Sequence, residues 1–470
     1  MFKNETILRR FVLASTSFAI LFASCTKKID SSSVTADAVS SEAVGNENMD
    51  QQYVPHELLV KFREGTSQAS RNKHLNDISA TVAEKILTKT MQRFNDNEGV
   101  LLLHTPLAVL EARNKIKGQE VEYAEPNYIY KHDVVSNDPF YANGRLWGVL
   151  GNSLSPANQF GSQANEAWAN NHIGSATVHV GVIDEGAMFT HTDLAGQIWT
   201  NPFDRVDGID NDGNGFIDDI HGWDFENNDN TTFDGSVDDH GTHVSGTIGA
   251  KGGNGTGVAG INWKITIITA KFLGSQGGTL ANAIKAIDYI TDLKTRHQLL
   301  LPATNNSWGG GGFSQALKSA IDRANAANIL FVAAAGNGGF DGVGDNNDVT
   351  PSFPASYTSA NIISVAAITI TGAISSFSNF GATSVDIGAP GSAIISTVPS
   401  NNLFPSSTYA TFSGTSMATP HVTGGAALFA ATHPTASAAA IKQAILSSAI
   451  PTSSLSGKCV TGGRLNLGGF

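Results

Sequence analysis

Beyond Asp138 the chain alternates short apolar runs with longer amphipathic stretches, and nothing else in it constrains the fold as tightly. Apolar runs bounded by turn residues read as buried strands, and apolar residues recurring every three or four positions read as helices. Strands are expected at Val178–Ile183, Ile265–Phe272, Ala303–Ser307, Ile329–Ala334 and Asn361–Ala367. Helices are expected at Thr279–Arg296, Phe313–Ala327, Ser416–Thr432 and Ser437–Ser447. In the first of these, Ala283, Ile284, Ile287, Ile290 and Leu293 form one stripe, which reads as core. Strands that alternate with helices build an α/β domain with a mostly parallel sheet covered on both faces. Functional groups in such a sheet gather beyond the carboxyl ends of the strands.

Composition narrows the functions open to this fold. With 470 residues there is room for two or three domains and a large core. Charged residues make up only 15% and glycine is abundant, which suits a loop-rich enzyme rather than a disordered or coiled-coil chain. A formal charge of −12 argues against nucleic acid, whose phosphates need a basic face. Two cysteines, Cys25 and Cys459, cannot make a disulfide framework.

Three separated blocks carry reactive residues. Asp184 directly follows a buried-looking strand in V-H-V-G-V-I-D-E-G, an expensive position for a carboxylate unless it is paired. His240 lies in D-D-H-G-T-H-V-S-G-T-I-G-A, entering a helix of small residues. Ser416 lies in T-F-S-G-T-S-M-A-T-P-H-V, where a small-residue turn enters an Ala-rich helix. A serine there has its hydroxyl at the positive end of the helix dipole, beside unpaired backbone N–H groups. Each block alone has a plain structural explanation: a turn-capping Asp, a helix-capping His, a Ser N-cap. Together they resemble the catalytic blocks of the subtilisin-like serine proteases, in the chain order Asp, His, Ser found in subtilisin.

The resemblance implies a Ser-His-Asp triad with Ser416 as nucleophile, His240 as general base and Asp184 orienting the imidazole. It makes His191 and Asp193 supporting residues and His243 a structural one. Glu185 departs from it, because relatives more often carry Thr or Ser after the catalytic Asp. F-V-A-A-A-G-N, ending at Asn337, resembles the block whose Asn donates to the tetrahedral intermediate, together with the Ser416 N–H. Ser307-Trp308-Gly309-Gly310 resembles the strand that pairs with substrate backbone, and Phe272–Gly278, including Leu273 and Gly274, the opposite rim. Ser352-Phe353-Pro354 matches the border of the primary pocket, with Phe353–Pro354 a candidate cis bond. Glycine-rich walls do not disclose a side-chain preference; a medium-sized apolar residue is the expectation.

Asp207–Asp219 reads D-G-I-D-N-D-G-N-G-F-I-D-D. Asp210, Asp212 and Asn214 fall at positions 1, 3 and 5 of an EF-hand-like loop, with Gly215 at 6 and a carbonyl from Phe216 at 7. His221 stands where a bidentate Glu belongs, so Asp218 or Asp219 must complete the sphere. Calcium with a structural role is the expected ion, and a solvated turn is the alternative. The loop Lys251–Val258 is shorter than the calcium loop after the catalytic His in the best-known relatives, which puts that second site in doubt.

The first 135 residues read as address and escort. Lys3, Arg9 and Arg10 precede the apolar run Phe11–Ser24, too short to span a bilayer but suited to an export signal. Phe22-Ala23-Ser24-Cys25 resembles a bacterial lipobox, with Cys25 the acylated residue; a plain secretory signal with Cys25 incidental is the alternative. Residues 25–52 read as a flexible tether. From 53 to 135, a βαββαβ-like pattern closing in Y-A-E-P-N resembles the inhibitor prodomain of the same proteases, and a free-standing ferredoxin-like module is its alternative. The expected strands are Glu57–Phe62, Gly99–His104 and Val121–Tyr128; the expected helices are Ser67–Asp77 and Pro106–Lys117.

The sequence therefore points to an exported serine endopeptidase, made as a zymogen, with its catalytic domain at 136–470. No organic cofactor is expected. Protein or peptide substrates and its own prodomain are the expected partners, and the chain is expected to be monomeric. Membrane contact is expected only through a lipid anchor, on an outer-membrane precursor that cleavage near Lys131–Asn137 would release. A catalytically idle binding protein using the same cleft is the competing class, disfavoured by the presence of Asp184, His240, Ser416 and Asn337 together.

Overall fold

The computed structural model describes residues 53–129, 135–402 and 404–470. The expected export signal, tether and Cys25 lie outside them. Contacts divide the chain into two compact units on either side of residue 130.

The N-terminal unit is a four-stranded antiparallel sheet in the order Thr81–Ile86, Val100–His104, Tyr53–Phe62, Val121–Tyr128. Leu58, Val60, Phe62 and Leu103 point from it into a core closed by Ile78, Val109, Ala112 and Ile116. Pro126 lies on an edge strand, where a missing N–H costs no ladder bond on the open side. The strand Thr81–Ile86 escaped the sequence reading because five of its six residues are exposed, so no alternation marks it. The second expected helix shortens to Val109–Lys115, and an extra turn of helix forms at Lys89–Arg93.

The C-terminal unit is built on nine strands. Their order is Ile450–Pro451, Gly463–Arg464, Ile387–Pro390, Ile362–Ile368, Leu330–Ala334, Leu300–Asn306, Gly174–Asp184, Lys264–Lys271, Gly222–Asp224. All pairs are parallel except the first. Alternate residues serve two cores, with Val180 and Val182 on one face and Ile183 on the other. Helices Asp239–Gly249 and Thr415–Thr432 cover the first face, and Leu280–His297 and Gln315–Ala326 the second. Several helices start later than the periodicity predicts because the expected first residue, or the one after it, is an N-cap. Thr279, Ser314 and Ser437 each accept a backbone N–H three residues on.

The strand Gly174–Asp184 positions the candidate site. Lys264–Lys271 flanks it on one side and the next strand in sequence, Leu300–Asn306, on the other. The chain thus changes direction across the sheet at this strand, which opens a crevice at its carboxyl end, where Asp184 lies. The helix Asp239–Gly249 reaches that end by close approach. A Cβ on Gly241 would sit 2.0 Å from the Gly186 carbonyl oxygen, and one on Gly246 2.1 Å from Thr397 Oγ1. An ion pair pins the helix start: buried Lys271 holds Asp238 Oδ1 at 2.7 Å and Asp234 Oδ2 at 2.8 Å.

Candidate active site

Asp184 ends its strand fully buried, and its Oδ1 accepts the Glu185 N–H at 2.9 Å and the His240 Nδ1–H at 2.8 Å. Burial opposes a charged imidazole, but the charge and hydrogen bond of Asp184, reinforced by Glu185 and Asp239, outweigh it and push His240 up to about 9. Its neighbour His243 is buried, stacks on Phe412 and bonds to the Ile394 carbonyl through Nε2; burial pushes it down to about 3, so it stays neutral.

Ser416 occupies the first turn of its helix, directly after Thr415 and the N-cap Gly414. Pro420 has no N–H to give to the carbonyl four residues back. The Ser416 carbonyl is thereby free, and Ser307 Oγ donates to it at 2.8 Å. Ser416 Oγ donates in turn to the Ser307 carbonyl at 3.1 Å. The backbone of Ser416 is thus tied to the strand beside it, with its hydroxyl turned to that strand rather than to His240. Among the described residues, the His240 ring bonds to Asp184 alone.

Asn337 follows the strand Leu330–Ala334 through Gly336, whose φ of +116° only glycine adopts readily. Its Oδ1 accepts Thr415 N–H at 2.9 Å and Thr415 Oγ–H at 3.0 Å, which fixes the amide's orientation. The NH2 is left on the side of the Gly414–Ser416 turn. The position a Cβ on Gly414 would take lies 3.6 Å from Asn337 Nδ2, 3.5 Å from Ser416 N and 3.7 Å from Ser416 Cβ. Asn337 Nδ2, Ser416 N and the serine Cβ therefore border one point beside Gly414.

A cleft of about 500 Å³ opens beside Ser416 and Asn337, walled by Ser307, Trp308, Gly309, Gly310 and Ser352. A second, of about 440 Å³, shares Trp308–Gly311 and reaches Leu273 and Phe353. Phe353–Pro354 is cis. Of the expected rim residues, Gly310 spends its N–H on the Phe353 carbonyl. Gly274 pairs with Gly277 and lies under the Glu226 carboxylate, away from both cleft walls. His191 bonds to the Thr408 carbonyl, and Asp193 accepts from Asn254, Val258 and Tyr409, so both tie loops together.

In the acidic loop, Asp210 accepts the N–H groups of Gly213, Asn214 and Gly215, and Asp212 accepts those of Asn214 and His297 Nε2. Asp210, Asp212 and Asn214 thus share one turn, with their oxygens turned to backbone and imidazole N–H groups. Asp218 faces another flank, accepting Asp207 N–H and Gly208 N–H. Asp219 is buried and bonded to Tyr289, Asn201 and Asn214; burial, against these bonds, pushes it up to about 6. Phe216 packs its ring on Trp223, Phe225 and Tyr289. Near the shortened loop, buried Asp138 accepts the N–H groups of Gly253, Asn254, Gly255 and Thr256. Four donors converging on one carboxylate do not fit a cation there.

Residues 175–466 match the model of the subtilase family, and residues 40–127 that of the fervidolysin N-terminal prodomain. The chain belongs to the subtilase family. It is 34% identical over 379 residues to a thermophilic serine proteinase of Bacillus sp. (strain AK1), covering 80% of this chain and 78% of that one. Subtilisin DY of Bacillus licheniformis is 36% identical over 288 residues, 61% of this chain and 88% of that one. Fervidolysin of Fervidobacterium pennivorans shares the fold, with a TM-score of 0.50 at 23% identity over 90% of this chain and 61% of that one. This subtilase is a serine-type endopeptidase with an N-terminal prodomain.

Sequence reasoning missed the parts of the subtilase that work at a distance. Thr415 orients Asn337, and only its place in G-T-S hinted at a task. The Ser307 bond to the Ser416 carbonyl was legible in principle, from the proline four residues after the serine. Gly414 has a φ of 166°, extended backbone that any residue adopts, so its lack of a side chain matters for space alone. Gly414→Ala is therefore expected to fold normally, yet to lose on the order of 10² in kcat by filling the point between the two donors. Steady-state kinetics beside a thermal melt check this; unchanged kcat in a folded variant would mean the point is not used.

Proposed function

We propose that Ser416, His240 and Asp184 form the triad of this protease and that Asn337 Nδ2 and Ser416 N–H form its oxyanion hole. The observation that carries this reading is the hydrogen bond from His240 Nδ1 to a fully buried Asp184. That bond fixes the tautomer in which Nε2 of the neutral ring keeps its lone pair as a base. In the free enzyme the Ser416 hydroxyl rests on the Ser307 carbonyl. Catalytic hydrogen bonds commonly tighten only with substrate, and the triad requires this hydroxyl to turn to His240 there.

His240 then removes the Ser416 proton as Oγ attacks the scissile carbonyl. The carbonyl oxygen gains negative charge at the point bordered by Asn337 and Ser416 N–H. Collapse passes the proton from His240 to the departing amine and leaves an acyl ester on Ser416. Water, deprotonated by His240, hydrolyses that ester and restores the serine. The edge at Ser307–Gly309 holds substrate by backbone pairing, which needs little sequence specificity, whereas Leu273 and Gly274, expected as the opposite edge, spend their N–H groups on Asp184 and Gly277.

The boundaries follow the same reading: signal at 1–24, tether at 25–52, inhibitory prodomain at 53–135, catalytic domain at 136–470. Export is supported by the N-terminal apolar run, and among the described residues no helix is long and apolar enough to cross a membrane. Acylation at Cys25 would anchor the precursor, and removal of the prodomain would free the enzyme. Calcium belongs to the loop of Asp210, Asp212, Asn214 and the Phe216 carbonyl, with Asp218 or Asp219 completing the set, and its role is to stiffen the loop.

Two outcomes are expected. The full precursor should yield a shortened, membrane-free chain that cleaves casein, whereas Ser416→Ala should stay full-length and inactive. Processing of that variant on its own would refute the triad. Chelation should lower the Tm of the mature enzyme and calcium should restore it; a Tm indifferent to both would remove the metal from the loop.

A further inference from the structure

Two consecutive carboxylates face one imidazole. Asp184 Oδ1 already accepts two hydrogen bonds, while its Oδ2 is buried and receives none from the described residues. Glu185 as a carboxylate cannot relieve that oxygen, because it has only acceptors to offer. Its Oε2 instead accepts the backbone N–H of His240 at 3.2 Å. One oxygen of Asp184, one of Glu185 and a ring nitrogen of His240 all lie within 4.8 Å of one another.

We propose that Glu185 is a positioning residue whose carboxylate sets a second negative charge against the Asp184–His240 pair and moves the protease's working range to alkaline pH. The proposal rests on the triad assigned to Asp184, His240 and Ser416.

The surrounding charges leave this effect uncompensated. Asp239, next to His240 on its helix, is also negative. Lys271 is the nearby buried cation, and Asp234 and Asp238 already hold it at 2.8 and 2.7 Å. His243, one turn on, is kept neutral by burial. Glu185 is half-buried, so solvent screens it less than a surface charge. Burial first, then the charge of Asp184, pushes Glu185 up to about 7, while His240 is raised to about 9.

His240 accepts the Ser416 proton only when neutral, so kcat/KM falls as pH drops through the His240 pKa. Between the two ionisations Glu185 is charged and favours the imidazolium, which delays the free base to higher pH. Below its own ionisation Glu185 carries a proton and the effect disappears.

Glu185→Gln removes the charge but keeps an acceptor for the His240 N–H. In the mature enzyme, with an uncharged peptide substrate, its acidic limb should move down by about one unit. The two profiles should converge at low pH. In the full-length Ser416→Ala chain, NMR titration of His240 should show the same downward shift on adding Glu185→Gln. This second readout needs neither activity nor maturation, so it stands if the Gln variant fails to process. It also separates the two readings, because an active Ser416→Ala chain would break the triad while leaving the titration informative. Superimposable pH profiles, or a His240 titration that Glu185→Gln does not move, would overturn the proposal.

Discussion

A carboxylate with no exposure to water, at the end of a central parallel strand, is the constraint on which this site depends. Left unpaired, Asp184 would cost the fold several kcal/mol. The pairing comes from a helix whose start must come close enough for an imidazole to reach. Gly241 allows its backbone to press against Gly186, and the Lys271–Asp238 pair fixes where the helix begins. Fold and site therefore share one requirement: what keeps the charge buried also orients the His240 ring.

The serine is held by a different device. Pro420 breaks one helical hydrogen bond near the start of the Ser416 helix, and the freed carbonyl is recruited by Ser307. Thr415 turns toward Asn337 and orients its amide. Both contacts join the helix to the carboxyl ends of neighbouring strands, which ties Ser416, Asn337 and the cleft wall at Ser307 together. Because the backbone supplies much of this, the local sequence has to be small: Gly414, Gly336 and the glycines after Trp308 leave room for substrate.

Much of the fold was legible because its signals are local. The strands ending at Asp184, Lys271 and Ala334 are buried and largely apolar over their last five residues, and the caps at Thr279, Ser314 and Ser437 mark helix starts to within a residue or two. The strand Thr81–Ile86 and the hairpin of Ile394–Pro399 with Ser407–Phe412 were not legible. The first has no buried face, and the second is pinned by contacts such as Thr397 with Thr242, far apart in sequence. The same limit applies to the site. Motif spacing named Asp184, His240, Ser416 and Asn337, but the partner of Lys271, the donors around Asp138 and the direction of Asp218 are set by chain segments a linear reading cannot bring together. Composition marked the acidic loop without revealing that Asp219 turns inward to Tyr289.

The most direct measurement is to locate, by mass spectrometry, the residue that an organofluorophosphate modifies in the folded mature protein. Only a serine whose proton is withdrawn by a neighbouring base, beside donors for the phosphoryl oxygen, reacts at a useful rate. The account predicts a single adduct on Ser416, lost in His240→Ala although that variant stays folded. An adduct on another serine, or none on a protein that still cleaves peptides, would contradict it.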